Sequence, residues 1–342
     1  MPEDSIEHID FNDLTKRAIA QPLVSHIYTA DPSAHYFDGK IYIYPSHDVD
    51  AGEAFDDLGS HFAMEDYHVI SMDSIDSEAV DHGLALHVDD VPWAEKQMWA
   101  PDANEKDGTY YLFFPAKAYD GIFRIGVATS SSPTGPFTAQ PEAIKGSFSI
   151  DPAVFKDDDG SYYMYFGGLW GGQLQRWRTG TFNASQPESP TAFLPKDDEP
   201  ALLPFVAKMT DDLLEFAEKP KEIEIFDENG NLLLAGDNDR RFFEASWLHN
   251  YNGKYYFSYS TGDTHLLCYA TGDNPYGPFT YQGVIMTPVV GWTTHHSICK
   301  INEQWYLFYH DCILSEGVTH LRSVKCAELK YREDGSIETI NP

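Results

Sequence analysis

Three acidic residues occupy one position of a repeated sequence pattern. Asp31, Asp151 and Glu244 each stand just before a short strand-like run, and each run leads through a turn to a second, aromatic run. The turn glycine follows eight or nine residues after the acid in every copy, at Gly39, Gly160 and Gly253. We therefore expect the three acids to hold the same structural position in three copies of one unit.

Acidic groups brought together in this way can hydrolyse a glycosidic bond. One carboxyl protonates the leaving oxygen and a second activates water or attacks directly, while a third nearby raises the pKa of the donor by repulsion. Glu244 has apolar neighbours in Phe243 and Trp247, which favour the neutral form that a general acid needs. The alternative is that these are solvated turn residues. However, they precede the strands, adjoin proline or aromatic residues, and do not lie in the turns.

Two further copies show which elements position the acids. Trp99 and Ala100 precede one hairpin pattern, and His295 precedes another, each with aromatic runs after the turn. Asp-Gly and Asn-Gly between alternating apolar runs are strong hairpin signals. Five copies of a strand unit predict an all-β fold, a five-bladed β-propeller. Because the innermost strand of every blade lines the central channel, the repeated position should point at one axis.

The repeat also predicts the organisation of the chain. Residues 1–25 are interpreted as a lead-in with one short helix over 13–20, and residues 26–342 as a single propeller domain. Residues 178–236 interrupt the repeat. They are expected to form an insertion within the third blade or between the third and fourth, with a short helix over 211–217.

Composition excludes several classes of partner. The chain has 23 Lys and Arg against 54 Asp and Glu, a formal net charge of -31, which argues against nucleic acid and anionic membranes. A neutral ligand remains compatible. There is no apolar run long enough to cross a membrane and no visible signal peptide, so a cytoplasmic location is expected. The four cysteines lack Cys-x-x-Cys spacing and are expected to be reduced thiols.

The ordered motifs resemble those of glycoside hydrolase family 43 from about residue 26 to 331. The resemblance rests on Ala30-Asp31-Pro32-Ser33, Trp99-Ala100-Pro101-Asp102, Ile150-Asp151-Pro152, Glu244-Ala245 and His295-His296-Ser297. It implies a five-bladed propeller and an inverting mechanism, with Asp31 as general base and Glu244 as general acid. Asp151 would tune and position the acid, Trp99 would be a wall of the sugar pocket, and Arg322 would reach the pocket from the last blade.

Other residues are candidates for binding substrate or metal. His295 resembles a channel histidine that in many family members binds calcium or another metal through a shell of water, so a divalent cation, calcium first, is expected there. A hydrogen-bonded core histidine is the alternative. His296 would line the pocket or serve as a second ligand. The polar pair that follows the first hairpin and an aromatic residue beside Asp151 are further candidates to contact substrate: His47, Asp48 and Trp170.

The expected substrate is a neutral oligosaccharide. Residues 293–297 and 320–337 look most like members that act on short xylan-derived oligosaccharides. The hypothesis is therefore exo-acting release of terminal β-1,4-linked xylose, with α-L-arabinofuranosidase activity as a further expectation. An α-L-arabinofuranosidase or arabinanase-type hydrolase is the alternative, and a non-catalytic sugar-binding propeller is the alternative of another class. A C-terminal β-sandwich, which many β-xylosidases of the family carry, is not expected, so loops or a neighbouring identical subunit must close the pocket.

Overall fold

The computed structural model describes residues 9–342, which form one short α-helix and five blades of mainly antiparallel strands. Helix α1 (Phe11–Arg17) begins earlier than predicted, because the Asp10 side chain caps it by accepting from the amides of Asn12 and Asp13. It also ends earlier, since Ala18 leaves the helical conformation with a ψ of 134°. The chain then runs beside the last blade. There the amide of Leu23 donates to the carbonyl of Val324 at 2.9 Å, which joins the two ends of the propeller.

Each blade is a meander of short strands, as the repeat predicts. Blade one orders β1 (Tyr28–Phe37), β2 (Lys40–Asp48), β3 (Asp66–Met72) and β4 (Val80–His87). Blade two contains β5 (Ala94–Lys96), β6 (Asp102–Lys106), β7 (Thr109–Ala118), β8 (Phe123–Ser130) and β9 (Thr138–Ala139), with both β5 and β6 paired to β7. Blade three contains β10 (Ala153–Lys156), β11 (Tyr162–Phe166), β12 (Phe205–Lys208) and β13 (Lys221–Glu222).

The last two blades complete the all-β, five-bladed propeller. Blade four contains β14 (Ile225–Phe226), β15 (Glu244–Tyr251), β16 (Lys254–Ser260), β17 (Leu267–Gly272) and β18 (Phe279–Met286), with β14 parallel to β18 at its outer edge. Blade five contains β19 (His296–Ile301), β20 (Gln304–Asp311) and β21 (Ser323–Leu329). The fold class predicted from the sequence is confirmed.

The turns behind the repeated acids explain why the pattern is so regular. Asp38 and Gly39 join β1 to β2 with φ of 49° and 81°, and Asn252 and Gly253 join β15 to β16 with 51° and 79°. Two consecutive residues with positive φ fit the tight hairpin turn whose twist matches that of the strands. Aspartate, asparagine and glycine tolerate this conformation best, so the Asp-Gly and Asn-Gly pairs recur because the turn requires positive φ at both positions.

Aromatic side chains fill the space between blades. Tyr44 of blade one and Phe114 of blade two belong to one buried cluster, and Tyr165 of blade three and Phe257 of blade four belong to another, where their ring centres lie 5.9 Å apart. Burying one such side chain contributes roughly 1.5–3 kcal/mol. The aromatic second runs of the repeat are therefore what holds adjacent blades together and fixes the channel between them.

The region 178–236 differs from its prediction in one respect. It contains β12 and β13, which complete blade three, but residues 211–217 form no helix. Leu213 has a φ of 59° and is buried between blades two and three, while the Asp212 carboxylate accepts hydrogen bonds from Thr210 Oγ1 and the Leu214 amide. The apolar spacing that suggested a helix comes instead from a tight loop that places Leu213 in the core.

Two other expectations concern membranes and thiols. Among residues 9–342, no helix has the length and apolar character needed to span a membrane. All four cysteines are free, with Cys268, Cys299 and Cys312 buried.

Candidate active site

The repeated position lies at an irregular backbone step where each innermost strand begins. Asp31 has a φ of 48° within a register shift of β1, and Asp151 has a φ of 58° just before β10. In blade four the positive φ, 63°, falls on Ala245, within a register shift that begins at Glu244. Such bulges redirect side chains and are costly for non-glycine residues, which is why they concentrate at functional sites. Here they turn all three carboxyls toward one pocket.

This pocket receives the repeated position of every blade. It encloses about 740 Å³ of empty space, including its open mouth. The residues of the repeated position that line it are Asp31, Trp99, Ala100, Asp151, Glu244 and His295. The channel axis therefore gathers three carboxyls and one imidazole at a single end.

Asp31 is held in its ionised form by donors from two blades. Its Oδ2 accepts from Ser46 Oγ at 2.7 Å, and its Oδ1 accepts from Arg322 Nη1 at 2.9 Å. Burial alone would raise the pKa of Asp31, but the Arg322 guanidinium, together with the hydrogen bond from Ser46, lowers that pKa to about 2. The backbone amide of Asp31 also donates to Nδ1 of His310 at 3.0 Å, which fixes the strand behind the carboxylate.

Arg322 owes its position to Asp48. Nη2 and Nε of Arg322 donate to the two oxygens of Asp48 at 2.7 and 2.8 Å, and the Arg322 amide donates to Asp48 Oδ2 at 2.9 Å. This two-pronged pairing fixes the plane of the guanidinium. The guanidinium also lies 4.8 Å from the centre of the Phe62 ring. One nitrogen, Nη1, is left to reach Asp31.

Glu244 and Asp151 lie in an environment that, unlike that of Asp31, favours the protonated carboxyl. Burial, with the Asp31 charge nearby, raises the pKa of Glu244 to about 8. Burial and the neighbouring Glu244 carboxyl raise the pKa of Asp151 well above its usual range. Asp151 Oδ2 accepts from the amide of Ala245 at 2.8 Å, so it holds the backbone directly beside Glu244. Near neutral pH the site therefore contains an ionised Asp31 and a protonated Glu244.

Aromatic residues form the walls above the carboxyls. Trp99 is fixed by a 2.8 Å hydrogen bond from its Nε1 to the Phe62 carbonyl and packs 4.7 Å from Phe123. Trp170 lies in a 3₁₀ turn and packs against Phe243 and Trp292, at 5.4 and 5.6 Å between ring centres. A pocket with apolar walls and a few converging polar groups suits a sugar ring.

Comparison with known proteins decides the family. Glycosyl hydrolases family 43 matches residues 21–189. A xylosidase/arabinosidase from Bacteroides ovatus is 60% identical over 319 residues, 93% of this chain and 96% of that protein. Xylosidase/arabinosidase 43A from Humicola insolens is 62% identical over 328 residues, 94% and 99% of the two chains. The solved structure of a family 43 beta-xylosidase/alpha-arabinofuranosidase from a compost microbial metagenome, in complex with xylotriose and calcium-free, has a TM-score of 0.93 at 65% identity, covering 95% and 98%.

The chain belongs to glycoside hydrolase family 43. The resemblance seen in the sequence motifs is thereby confirmed, and with it the assignment of the protein as a glycoside hydrolase. The three carboxyls of the pocket are the groups able to carry out that chemistry.

Three residues expected to contact the substrate of this family 43 enzyme lie elsewhere. Within the described part of the chain, the pocket lining includes Trp99, Trp170 and Arg322 but excludes His47, Asp48 and His296. Asp48 faces Arg322, as described above. His296 is buried with its Nε2 2.6 Å from Ser258 Oγ. His47 turns outward, with its Nδ1 2.6 Å from Asp66 Oδ1. Alternation along a strand explains the positions of His47 and His296, because residues next to a channel-facing position point to the opposite side. Asp48 shares the face of Ser46 but lies behind Arg322, which separates it from the pocket.

The repeated sequence pattern does not predict several residues that line the pocket. Phe62 comes from the long loop between β2 and β3 of blade one, and Trp292 and Thr293 come from the loop between blades four and five, where periodicity gives no guidance. His310 could have been found, because it occupies the end of the second strand of blade five as Ser46 does in blade one. Burial lowers the pKa of His310 to about 3, which leaves the ring neutral and its Nδ1 free to accept from Asp31.

Proposed function

We propose that this family 43 enzyme is an exo-acting β-xylosidase that releases terminal xylose from short β-1,4-linked xylo-oligosaccharides with inversion. The observation that carries the proposal is the opposite protonation of two carboxyls in equivalent positions of two blades. The pKa of Asp31 is lowered to about 2 and that of Glu244 is raised to about 8. A general base and a general acid thus face the same pocket at neutral pH.

In this mechanism Asp31 takes a proton from a water molecule as that water attacks the anomeric carbon. Glu244 gives its proton to the glycosidic oxygen, so the carbon–oxygen bond breaks and the shortened sugar leaves. Each carboxylate oxygen has two lone pairs, so Asp31 can accept from water while it keeps its bonds to Ser46 and Arg322. Proton exchange with solvent then restores both carboxyls.

Asp151 acts as a positioning residue in this proposal. Its bond to the Ala245 amide anchors the backbone at the step that aims Glu244, and the nearby Glu244 carboxyl in turn raises the pKa of Asp151. A small displacement of a catalytic group can cost about 100-fold in rate, so this support matters to turnover.

The shape of the pocket supports action at chain ends. Loops close around the carboxyls from blade one, from blade three, between blades four and five, and from blade five, contributing in that order Phe55, Trp170, Trp292 and Thr319 to the lining. Walls on several sides suit the last sugar of a chain better than an internal one. The names of the relatives, xylosidase/arabinosidase and beta-xylosidase, support a pentose, and they favour α-L-arabinofuranosidase as a second activity.

We further propose that His295 supplies one ligand to a divalent cation, calcium first. The His295 ring fits that role because burial lowers its pKa to about 4, which leaves it neutral. Its Nδ1 lies 3.6 Å from Asp31 Oδ1 and 3.9 Å from Asp151 Oδ2, both longer than hydrogen bonds. With one imidazole, water would complete the shell. When bound, the cation would supply positive charge beneath the pocket floor.

The test compares substrates and follows stereochemistry. Aryl β-D-xyloside, aryl α-L-arabinofuranoside and xylotriose are assayed together, and proton NMR records the first anomer released from xylotriose. We expect xylose from the chain end, with the inverted configuration, and weaker release of arabinose. A retained anomer would contradict the mechanism, cleavage inside longer xylan chains would contradict the exo mode, and arabinose release exceeding xylose release would favour the alternative substrate.

A further inference from the structure

A group of histidine and aspartate side chains lies on blade one, outside the pocket. His47 Nδ1 is 2.6 Å from Asp66 Oδ1, and His68 Nε2 is 3.8 Å from Asp66 Oδ2. The two imidazole rings lie 4.4 Å apart, and the three ligand atoms of His47, Asp66 and His68 all fall within 4.8 Å of one another. None of the three residues lines the pocket described above.

The strands of blade one position this group rigidly. Asp66 and His68 are two residues apart on β3 and therefore share one face of the sheet. Ser46 pairs with Tyr67, so the neighbouring residues His47 and Asp66 meet across β2 and β3. The three side chains are 14–19% exposed, so solvent reaches them although most of their surface is covered.

A second carboxylate orients His68. Asp81 Oδ1 lies 2.9 Å from His68 Nδ1 and also accepts from the Gly83 amide at 2.8 Å, while Asp81 Oδ2 lies 2.9 Å from His26 Nε2. Since a carboxylate only accepts, His68 Nδ1 carries the hydrogen, and in the neutral ring Nε2 presents a lone pair. That lone pair faces Asp66 across a distance too long for a hydrogen bond, which is favourable when a cation lies between them.

We propose that His47, Asp66 and His68 form a binding site for a divalent transition-metal ion, with Zn²⁺ the preferred occupant and water as the fourth ligand. Two imidazoles and one carboxylate with an open position are a common donor set for zinc, whereas calcium prefers oxygen ligands. A carboxylate behind a ligating histidine, as Asp81 stands behind His68, is the usual support of such sites. Binding releases the proton that His47 Nδ1 shares with Asp66.

The location gives the site a structural consequence. His47 immediately precedes Asp48 at the end of β2, and Asp48 holds the guanidinium of Arg322. A metal bound by residues of β2 and β3 would tie the ends of these two strands together. Zinc should therefore stabilise the folded protein against heat, because a ligand that binds only the folded state shifts unfolding to higher temperature.

The experiment titrates chelator-treated, desalted full-length protein with ZnCl₂ by calorimetry and records its melting temperature with and without zinc. The variants are His68→Gln, which removes one ligand, and Asp81→Asn, which removes only the supporting carboxylate. His82→Gln is the matched control, since His82 lies on the same strand as Asp81 but bonds to Ser71 at 2.7 Å. His295→Ala is titrated as well, to separate the channel histidine.

We expect one saturable zinc site in the wild type, in His82→Gln and in His295→Ala. Asp81→Asn should weaken zinc binding by about 10–100-fold, and His68→Gln by at least as much. Calcium should not compete, and zinc should raise the melting temperature only where the site is intact. Absence of a saturable zinc site in the wild type, or zinc affinity unchanged in both His68→Gln and Asp81→Asn, would overturn the proposal. If His68→Gln does not fold, His47→Gln replaces it in the same comparison.

Discussion

Blade one and blade four place a carboxyl at the same step of the same unit, yet the two carboxyls end in opposite states. Asp31 is surrounded by donors: Ser46 and Arg322 bind its oxygens directly. Glu244 is half-buried close to Asp151 and Asp31, and within residues 9–342 no cation is hydrogen-bonded to it. The pKa of the first is lowered to about 2 and that of the second is raised to about 8.

The difference shows that the repeat determines where each carboxyl lies, whereas residues outside the repeat determine whether that carboxyl is ionised. Arg322 comes from blade five and is aimed by Asp48 of blade one, so the base depends on a contact across the closure of the propeller. Glu244 instead stays protonated because burial and the Asp31 charge raise its pKa and no guanidinium is hydrogen-bonded to it within residues 9–342. Equivalent positions of the repeat can therefore hold a base in one blade and an acid in another.

The largest effect should come from neutralising either member of this pair. Asp31→Asn and Glu244→Gln should each lower turnover of xylobiose by about 10²–10⁴-fold, since each removes one proton-transfer step. Steady-state kinetics on folded protein, verified by circular dichroism, provide the measurement. A variant that keeps more than about a tenth of wild-type turnover would show that its residue has neither role.

The same two variants should affect stability in opposite directions. The raised pKa of Glu244 means that the folded state keeps a proton that the unfolded state loses, so stability falls as pH rises from 4.5 toward about 8. Glu244→Gln should therefore be more stable than wild type at pH 8, by on the order of 2 kcal/mol.

For Asp31 the sign is reversed. Its lowered pKa contributes stability that is present above 3.8 and is lost as pH falls toward about 2. Asp31→Asn also leaves part of the buried Arg322 charge unpaired, and should lose about 2–5 kcal/mol. Urea unfolding at pH 8 measures both variants. Destabilisation of similar size in the two would show that their environments do not differ as described.

A smaller effect is expected from removing divalent cations. Chelation should lower turnover by roughly tenfold, as loss of outer support for reactive groups often does. Added calcium should restore it, and His295→Ala should be impaired and insensitive to both treatments. Asp31 is already kept ionised by Arg322, so the effect should be on turnover and not on the acidic limb of the pH profile. Full activity after exhaustive chelation would show that His295 is a core histidine.

How far the sequence could predict the molecule depends on periodicity. The turn glycines and aromatic runs recur at fixed spacing, so both the propeller and the shared position of Asp31, Asp151 and Glu244 were accessible. The pattern is less informative about which face of the strand a neighbouring side chain occupies, and the predicted contacts His47 and His296 lie outside the pocket lining.

The positions of residues outside the repeat could not be predicted from the sequence for a different reason. Phe62, Trp292 and Thr293 reach the pocket from loops, and their placement depends on contacts between blades that no local pattern encodes. Leu213 shows the same limit, because its apolar spacing is satisfied by packing between two blades and not by a helix. Asp48 is a candidate substrate contact by sequence, whereas its pairing with Arg322 joins residues 274 positions apart and depends on closure of the propeller.

The most direct test of opposite roles in equivalent positions uses leaving groups of different acidity. Wild type, Asp31→Asn and Glu244→Gln are assayed as a function of pH on xylobiose and on 2,4-dinitrophenyl β-D-xyloside, whose leaving group needs no proton. Wild-type kcat/KM on xylobiose should fall above about pH 8, where Glu244 loses its proton. Glu244→Gln should recover most of its activity on the activated xyloside, without that alkaline limb, whereas Asp31→Asn should remain inactive on both substrates. Equal impairment of Glu244→Gln on the two substrates, or recovery of Asp31→Asn on the activated one, would contradict the assignment of acid and base.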